Sequence, residues 1–248
     1  MRKILKNTLF IILFSVLIVF AAYWAYLRFY ASNDKNLSGE WAASIDMTEQ
    51  AAVTALGWLQ DIEAVSISIQ DMESYMQDLT IDLHLTLRQT DRSAGTFDSS
   101  ILPESYTACN QAAYEAFATV FQELLAERLR MAGYTGSTDE EAVEALVMET
   151  FGMSTTSYLM SCVPDLLPPL EDLQAQYDGS GTYEISEDIL TRQFDGGQLV
   201  RTKTERYLRK DSTLILMEET NSAALNYFTG RYPILYTMQQ PQDQSGTN

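Results

Sequence analysis

Basic and aromatic residues near the carboxyl end have a spacing that suits recognition chemistry. Arg201, Lys203, Tyr207 and Arg209 alternate along a segment with strand periodicity, so their side chains share one face. Guanidinium and ammonium groups bind carboxylates, phosphates and other anions. This spacing predicts a docking patch for an anionic ligand or partner. The alternative is a ladder of weak cross-strand ion pairs. Its acidic members would be Glu184, Glu187 and Asp188.

The single histidine, His84, forms an Asp-x-His pair with Asp82 on the polar side of a predicted strand. A catalytic zinc ion needs about three protein ligands, and this pair supplies two. The sequence favours a surface or hydrogen-bonded histidine over a metal ligand or a general base. We therefore predict no metal site and no cofactor.

The two cysteines, Cys109 and Cys162, lie 53 positions apart in apolar helical surroundings. In an exported domain they could form a disulfide, which would stabilise the fold by about 4 kcal/mol. Two buried free thiols are the alternative. A nucleophile built from Cys109 and His84 is disfavoured, because acidic and apolar surroundings raise the pKa of a thiol.

Sequence motifs for covalent or phosphate chemistry are missing from the chain. It contains no Gly-x-Ser-x-Gly, Ser-x-x-Lys or His-Glu-x-x-His pattern and no phosphate-binding loop. We predict no catalytic residues and a non-catalytic role. The alternative is an envelope hydrolase with paired carboxylates, since that chemistry needs only two acids at a fixed separation, and the chain has 34 Asp and Glu.

The amino-terminal segment predicts where the protein lies. Residues 8–27 contain no charged side chain, and twenty helical residues span about 30 Å, the hydrocarbon thickness of a bilayer. Arg2, Lys3 and Lys6 precede them, so residues 1–30 are predicted to be a cytoplasmic basic start and a transmembrane signal-anchor. The alternative is a signal peptide cleaved after Ala21.

The part beyond the predicted anchor is strongly acidic. It holds all 34 Asp and Glu but only 12 of the 16 Lys and Arg, which gives a net charge of −22. A field of that sign repels nucleic-acid phosphates, so nucleic-acid binding is excluded. The charge keeps a domain soluble, and it could also attract a basic partner.

Residue periodicity divides this part into a linker at 31–36, a domain at 37–239 and a disordered polar tail at 240–248. Strand patterns occupy both ends of the domain, and a helical insertion separates them at 103–178. The predicted fold class is α+β. A transmembrane helix precedes an antiparallel curved sheet or open barrel that carries the helical insertion.

The opening of the domain, Leu37-Ser-Gly-Glu-Trp41, resembles the L-x-G-x-W start of lipocalin-like (calycin) domains. The late strand meander of the chain fits the same family. The resemblance implies that Trp41 closes one end of a barrel and that Arg231 packs near it. It also implies an internal ligand site. The helical insertion departs from the family, whose strands run almost without interruption.

Location and composition together predict a single-pass membrane protein with a cytoplasmic amino terminus and an extracytoplasmic domain. Its partners would be the lipid bilayer, through residues 8–27, and an unidentified envelope protein or apolar ligand. We predict a non-catalytic binding or accessory module at the cell envelope.

Overall fold

A computed structural model describes residues 36–62, 67–196, 201–218 and 232–239. In chain order the elements are β1 (Gly39–Asp46), α1 (Thr48–Ile62), α2 (Ile69–Tyr75), β2 (Thr80–Gln89), β3 (Ala94–Ile101), α3 (Pro103–Met131), α4 (Glu140–Phe151), α5 (Thr155–Cys162), α6 (Leu170–Tyr177), β4 (Gly179–Ser186), β5 (Ile189–Phe194), β6 (Arg201–Lys210), β7 (Thr213–Glu218) and β8 (Ile234–Met238). The α+β class predicted from the sequence is confirmed.

The eight strands form a closed antiparallel barrel in which every strand pairs with its neighbours in the chain. The barrel closes where β1 pairs with β8, through Trp41 with Met238 and Ala42 with Thr237. The strand rhythm alone predicts a curved sheet or an open barrel. Closure goes beyond that prediction, because the contact joins residues almost 200 positions apart and no local pattern encodes it.

Alternating burial explains why these segments form strands with one face inside. In β2 the side chains of Ile81, Leu83, Leu85 and Leu87 are buried, while the residues between them face outward. Burying one such side chain stabilises the fold by about 1.5–3 kcal/mol. An eight-stranded barrel is just wide enough for side chains to fill it. Large aromatic residues supply much of this filling: Trp41, Phe97, Tyr183 and Tyr207.

The described helices lie at one end of the barrel. We call this the upper end, where β1, β3, β5 and β7 finish, and the opposite end the lower end. Because the strands are antiparallel, α1 and α2 connect β1 to β2 at the upper end, and α3 to α6 connect β3 to β4 there. Helix α3 packs against β2, and α6 packs against β3.

Local capping determines where α2 and α4 begin. Ser68 and Asp71 form a capping box at the start of α2. For α4 the sequence predicts a capping box from Thr138 to Glu141, but the N-cap is Asp139, whose carboxylate accepts a hydrogen bond from the Ala142 amide at 2.9 Å. Aspartate caps a helix at least as well as threonine does, which explains the shift by one residue.

Among the described helices, none has both the length and the apolar character needed to cross a membrane. The predicted transmembrane segment at 8–27 lies outside the described residues. So do all of the predicted linker except Asn36 and the predicted tail at 240–248.

Two glycines offer a matched test of strand packing. A Cβ added at Gly181 in β4 would lie 1.9 Å from the carbonyl oxygen of Gln193 in the paired strand. We therefore expect Gly181→Ala to lower the free energy of unfolding by about 1–3 kcal/mol. Gly57 in α1 has nothing within 4 Å of an added Cβ, so Gly57→Ala should raise stability by about 0.5–1 kcal/mol. Urea unfolding would measure both changes. If the two substitutions change the free energy of unfolding equally, the close contact between Gly181 and Gln193 is contradicted.

Candidate functional site in the barrel interior

The basic face of β6 points into the barrel. Arg201, Lys203, Tyr207 and Arg209 alternate with outward residues, and the fully buried Glu205 shares their inward face. The predicted patch is therefore an interior surface. Arg201 and Lys203 lie towards the upper end of the barrel and Arg209 lies towards the lower end, so the four residues do not form one site.

A surface ion pair of the predicted kind exists, but its cation is a different residue. Arg206 alternates to the outer face of β6, and its Nη2 lies 2.6 Å from Oδ2 of Asp188. Both side chains are largely exposed, so this pair contributes about 0–1 kcal/mol. Arg206 is a neighbour of the predicted patch and not one of its four members.

A buried ion pair occupies the interior near the upper end. The Arg192 side chain on β5 donates from Nε to Oε2 of Glu205 at 2.9 Å, and its Nη2 lies 2.7 Å from the same oxygen. Their side chains are 4% and 0% exposed. The hydroxyl of Tyr232 donates to the second oxygen, Oε1, at 2.6 Å. The strand register brings these groups together, because Arg192 pairs with Lys203, two residues before Glu205.

Aromatic rings surround the cations of this cluster. The Arg192 guanidinium lies 5.5 Å from the ring centre of Phe97 and 5.8 Å from that of Phe194. The Lys203 ammonium lies between two tyrosines, 5.2 Å from the ring centres of Tyr177 and Tyr232. Ring faces carry partial negative charge and attract cations, most strongly away from water.

Arg201 fastens helix α6 to the barrel. Its guanidinium donates to the carbonyl oxygens of Ala175 and, at 2.6 Å, of Asp178. Those carbonyls belong to the carboxyl end of the helix, where a positive charge is favourable. The same guanidinium lies 3.6 Å from the ring centre of Phe194. These contacts of the Arg201 side chain therefore hold α6 in place.

The charges of the cluster follow from burial and from its internal contacts. Burial lowers the pKa of Lys203, Glu205 opposes that shift, and the guanidinium groups of Arg192 and Arg201 add to it, so the pKa ends below its ordinary value. Burial alone would raise the pKa of Glu205, but Arg192, Lys203 and the Tyr232 hydroxyl outweigh burial and leave that pKa below its usual range. Burial and Glu205 raise the pKa of Tyr232. Glu205 is thus an ionised acceptor, and Tyr232 is a neutral donor.

A cavity of about 550 Å³ opens at the upper end, between the β1–α1 turn, α6 and the start of β8. Tyr177 and Tyr232 line it, and these are the rings that flank Lys203. Asp46 and Glu49 also line it. Its volume falls in the range of small-molecule pockets, about 300–1,000 Å³. The cavity therefore adjoins the charged cluster through these two rings.

At the lower end, the side chain of Trp41 is buried inside the barrel. Its Nε1 donates to the carbonyl oxygen of Leu37 at 3.0 Å. The guanidinium near its ring is that of Arg209, 5.4 Å from the ring centre. Arg231, expected in this role, lies outside the described residues.

The two cysteines are free thiols in different surroundings. Cys109 is buried and Cys162 is exposed. Burial raises the pKa of Cys109 to about 11, with a further contribution from Asp46. The Cys109 thiol therefore stays protonated at neutral pH and is a poor nucleophile.

His84 is exposed on the outer face of β2. Its predicted companion Asp82 accepts a hydrogen bond from the Ser44 hydroxyl at 2.7 Å. Within the described residues, no group of three or more His, Cys, Asp or Glu is placed to hold a metal ion.

Several members of the buried cluster are absent from the residues that sequence patterns single out. Glu205 and Arg192 form its central pair, and Tyr177 and Tyr232 flank its lysine. A signal for Arg192 exists in β5, where it alternates in phase with the apolar Leu190 and Phe194. A charged residue on an apolar strand face indicates a buried partner. Nothing local identifies Glu205 as that partner.

No protein-family model matches this chain, and neither the curated proteins nor the solved structures contain a significant match. The barrel, its buried charges and its upper cavity are therefore the features that point to a function.

Proposed function

We propose that this chain is a membrane-tethered, non-catalytic binding module of the cell envelope. Its barrel would be lipocalin-like. The upper end of the barrel would bind a small ligand that carries a single anionic group. The opening Leu37-Ser-Gly-Glu-Trp41 and the closed eight-stranded antiparallel barrel support the lipocalin-like assignment. The uncharged segment 8–27 would anchor the module, with the barrel outside the membrane.

The observation that carries the proposal is the incomplete pairing of Lys203. Its Nζ lies 3.6 Å from Oε1 of Glu205, a long contact, and that oxygen already accepts from Tyr232. The other oxygen of Glu205, Oε2, is paired with Arg192. An ammonium group has three donors, and a partly buried one is stabilised by an anion close by. A ligand carboxylate would supply that anion.

Lys203 is the most exposed of the three charged residues in the cluster, and the two rings beside it also line the upper cavity. The Lys203 side chain remains 22% exposed, whereas those of Arg192 and Glu205 are almost fully enclosed. The rings of Tyr177 and Tyr232 would lie against the apolar body of the ligand. Asp46 and Glu49 in the cavity lining would repel a second negative charge. The preferred ligand class is therefore a mono-anion with an aromatic or aliphatic body.

A matched pair of probes tests this assignment. The full chain in nanodiscs of zwitterionic lipid is titrated with naphthoate and with its uncharged amide, with empty nanodiscs as the blank. We expect naphthoate to bind more tightly, and Lys203→Met to weaken it by about 10- to 100-fold, the loss of one charge-assisted hydrogen bond. Binding of the amide should change little. Calorimetry measures all four affinities.

Lys210→Met is the control, because it removes the same charge from the exposed end of the same strand. It should leave naphthoate binding unchanged. Equal affinities for naphthoate and the amide, or equal losses in the two lysine variants, would contradict an anion site at Lys203.

A further inference from the structure

A second concave surface lies on the helices. A groove of about 840 Å³ follows α3, with α2 on one side and the start of α4 on the other. Its apolar lining includes the half-buried Ile67 and Leu124, with Val120 and Val143, each only 1% exposed, beneath them. The α3 residues that line it extend from Thr119 to Arg130, twelve positions, or about 18 Å of helix. The groove is therefore long enough for about three turns of a docked helix.

The charged residues that line this groove are mostly acidic. Four carboxylates line it: Asp71, Glu123, Glu127 and Glu140. The basic lining residue is Arg130, whose Nε donates to the Thr138 hydroxyl at 2.9 Å. The hydroxyl of Tyr75 on α2 donates to Oε2 of Glu123 on α3 at 2.6 Å and so joins one side of the groove to the helix along which it runs. The negative charge is thus arranged around an apolar floor and held by contacts between helices.

The acidic surface continues beyond the groove. A neighbouring hollow of about 540 Å³ shares Glu140 with it and is lined also by Glu115, Glu141 and Glu144, with no Lys or Arg in its lining. Residues 103–178 as a whole carry 13 Asp and Glu against two Lys and Arg. A field of this strength attracts cationic partners and repels anionic ones.

Helix α3 ends with an exposed methionine, just beyond its last residue that lines the groove. Met131 directly follows the lining residue Arg130 and is 64% exposed. Methionine is flexible and polarizable, so it adapts to the apolar faces of different partners. An apolar floor, acidic walls and a flexible apolar end together match the face of an amphipathic helix that carries Lys and Arg along its sides.

We propose that this groove binds a basic amphipathic helix of a partner protein. The apolar side of that helix lies on Ile67 and Leu124, and its cationic side chains pair with the surrounding carboxylates. The site is separate from the barrel interior and does not depend on the anion site there. In this proposal the helices at the upper end bind the partner, and the barrel supports the helices.

The test uses a helical peptide of leucine and lysine with one apolar face. Surface plasmon resonance measures its binding to the full chain in zwitterionic nanodiscs at physiological salt, with empty nanodiscs as reference. We expect binding that Glu127→Lys weakens by about tenfold. Glu40→Lys makes the same charge change on the outer face of β1, away from the helices, and should alter the affinity less than about twofold.

Two further peptides separate groove binding from general charge attraction. A scrambled peptide of the same composition lacks the apolar face, and a second peptide replaces each lysine by glutamate. Both should bind at least about tenfold more weakly. The proposal is overturned if the scrambled peptide binds as well as the amphipathic one, if Glu40→Lys and Glu127→Lys have equal effects, or if no peptide binds. Lys203→Met should leave peptide binding intact, so the two proposals fail independently.

Discussion

Replacing Glu205 with methionine is expected to lower the free energy of unfolding by about 3–5 kcal/mol. The substitution removes the carboxylate that Arg192, Lys203 and Tyr232 share and leaves the almost fully buried Arg192 guanidinium without its partner. Methionine has a similar volume, so the loss comes from the uncompensated charge rather than from a cavity. Urea unfolding followed by circular dichroism measures the change.

The double variant Arg192→Met with Glu205→Met provides the control. It removes both partners of the buried pair, and apolar side chains of similar volume often replace such pairs without loss. We expect the double variant to recover most of the stability lost by Glu205→Met alone. If the double variant instead loses as much stability as Arg192→Met and Glu205→Met do together, the Arg192–Glu205 contact is not the source of the effect.

The same pair predicts a pH dependence. Because the pKa of Glu205 in the folded protein lies below its ordinary value of 4.5, its ionised form contributes stability that is fully present above that ordinary value. The contribution decreases as the pH falls through the folded-state pKa. The stability gap between the parent protein and Glu205→Met should therefore be full at neutral pH and should narrow in acid.

Replacing Trp41 with alanine is expected to destabilise the lower end of the barrel by about 3–5 kcal/mol. The side chain is 1% exposed, so its removal leaves a large cavity. It also removes the hydrogen bond to Leu37 and the ring that faces Arg209. The midpoint of thermal unfolding should fall by roughly 6–20 °C for a domain of this size.

Trp41→Phe is the matched comparison. It keeps an aromatic ring beside Arg209 but loses the indole donor to the carbonyl oxygen of Leu37. Its loss of stability should be clearly smaller, because most of the buried apolar volume remains. If the phenylalanine and alanine variants unfold at the same temperature, packing of the indole is not what stabilises this end.

Strands and helices with strong local patterns are predictable from the sequence. The alternation of Ile81, Leu83, Leu85 and Leu87 predicts both the strand β2 and its buried face. The long helix that begins at Pro103, with one apolar face, is likewise evident. Capping chemistry predicts the start of α4 to within one residue, because Thr138 and Asp139 can both accept the first helical hydrogen bonds.

The buried cluster could be predicted only in part. The alternation of Arg201, Lys203, Tyr207 and Arg209 places them on one strand face, as the structure has them. Whether that face is inside or outside is not decided by alternation, because the opposite face of β6 is also polar. The acidic partner of Lys203 is Glu205 on the same strand. Glu205 is also paired with Arg192 from β5.

Properties that depend on neighbouring residues are evident from the sequence: the strand and helix periods, the acidic charge, the uncharged segment 8–27 and the Leu37–Trp41 opening. The pairing of β1 with β8, the burial of the basic face of β6 and the contact of Arg209 with Trp41 become evident only in the folded barrel. The two groups differ in the range of the interactions on which they depend. Periodicity and capping depend on residues a few positions apart, whereas register and closure depend on contacts between distant strands that form only when the whole core packs together.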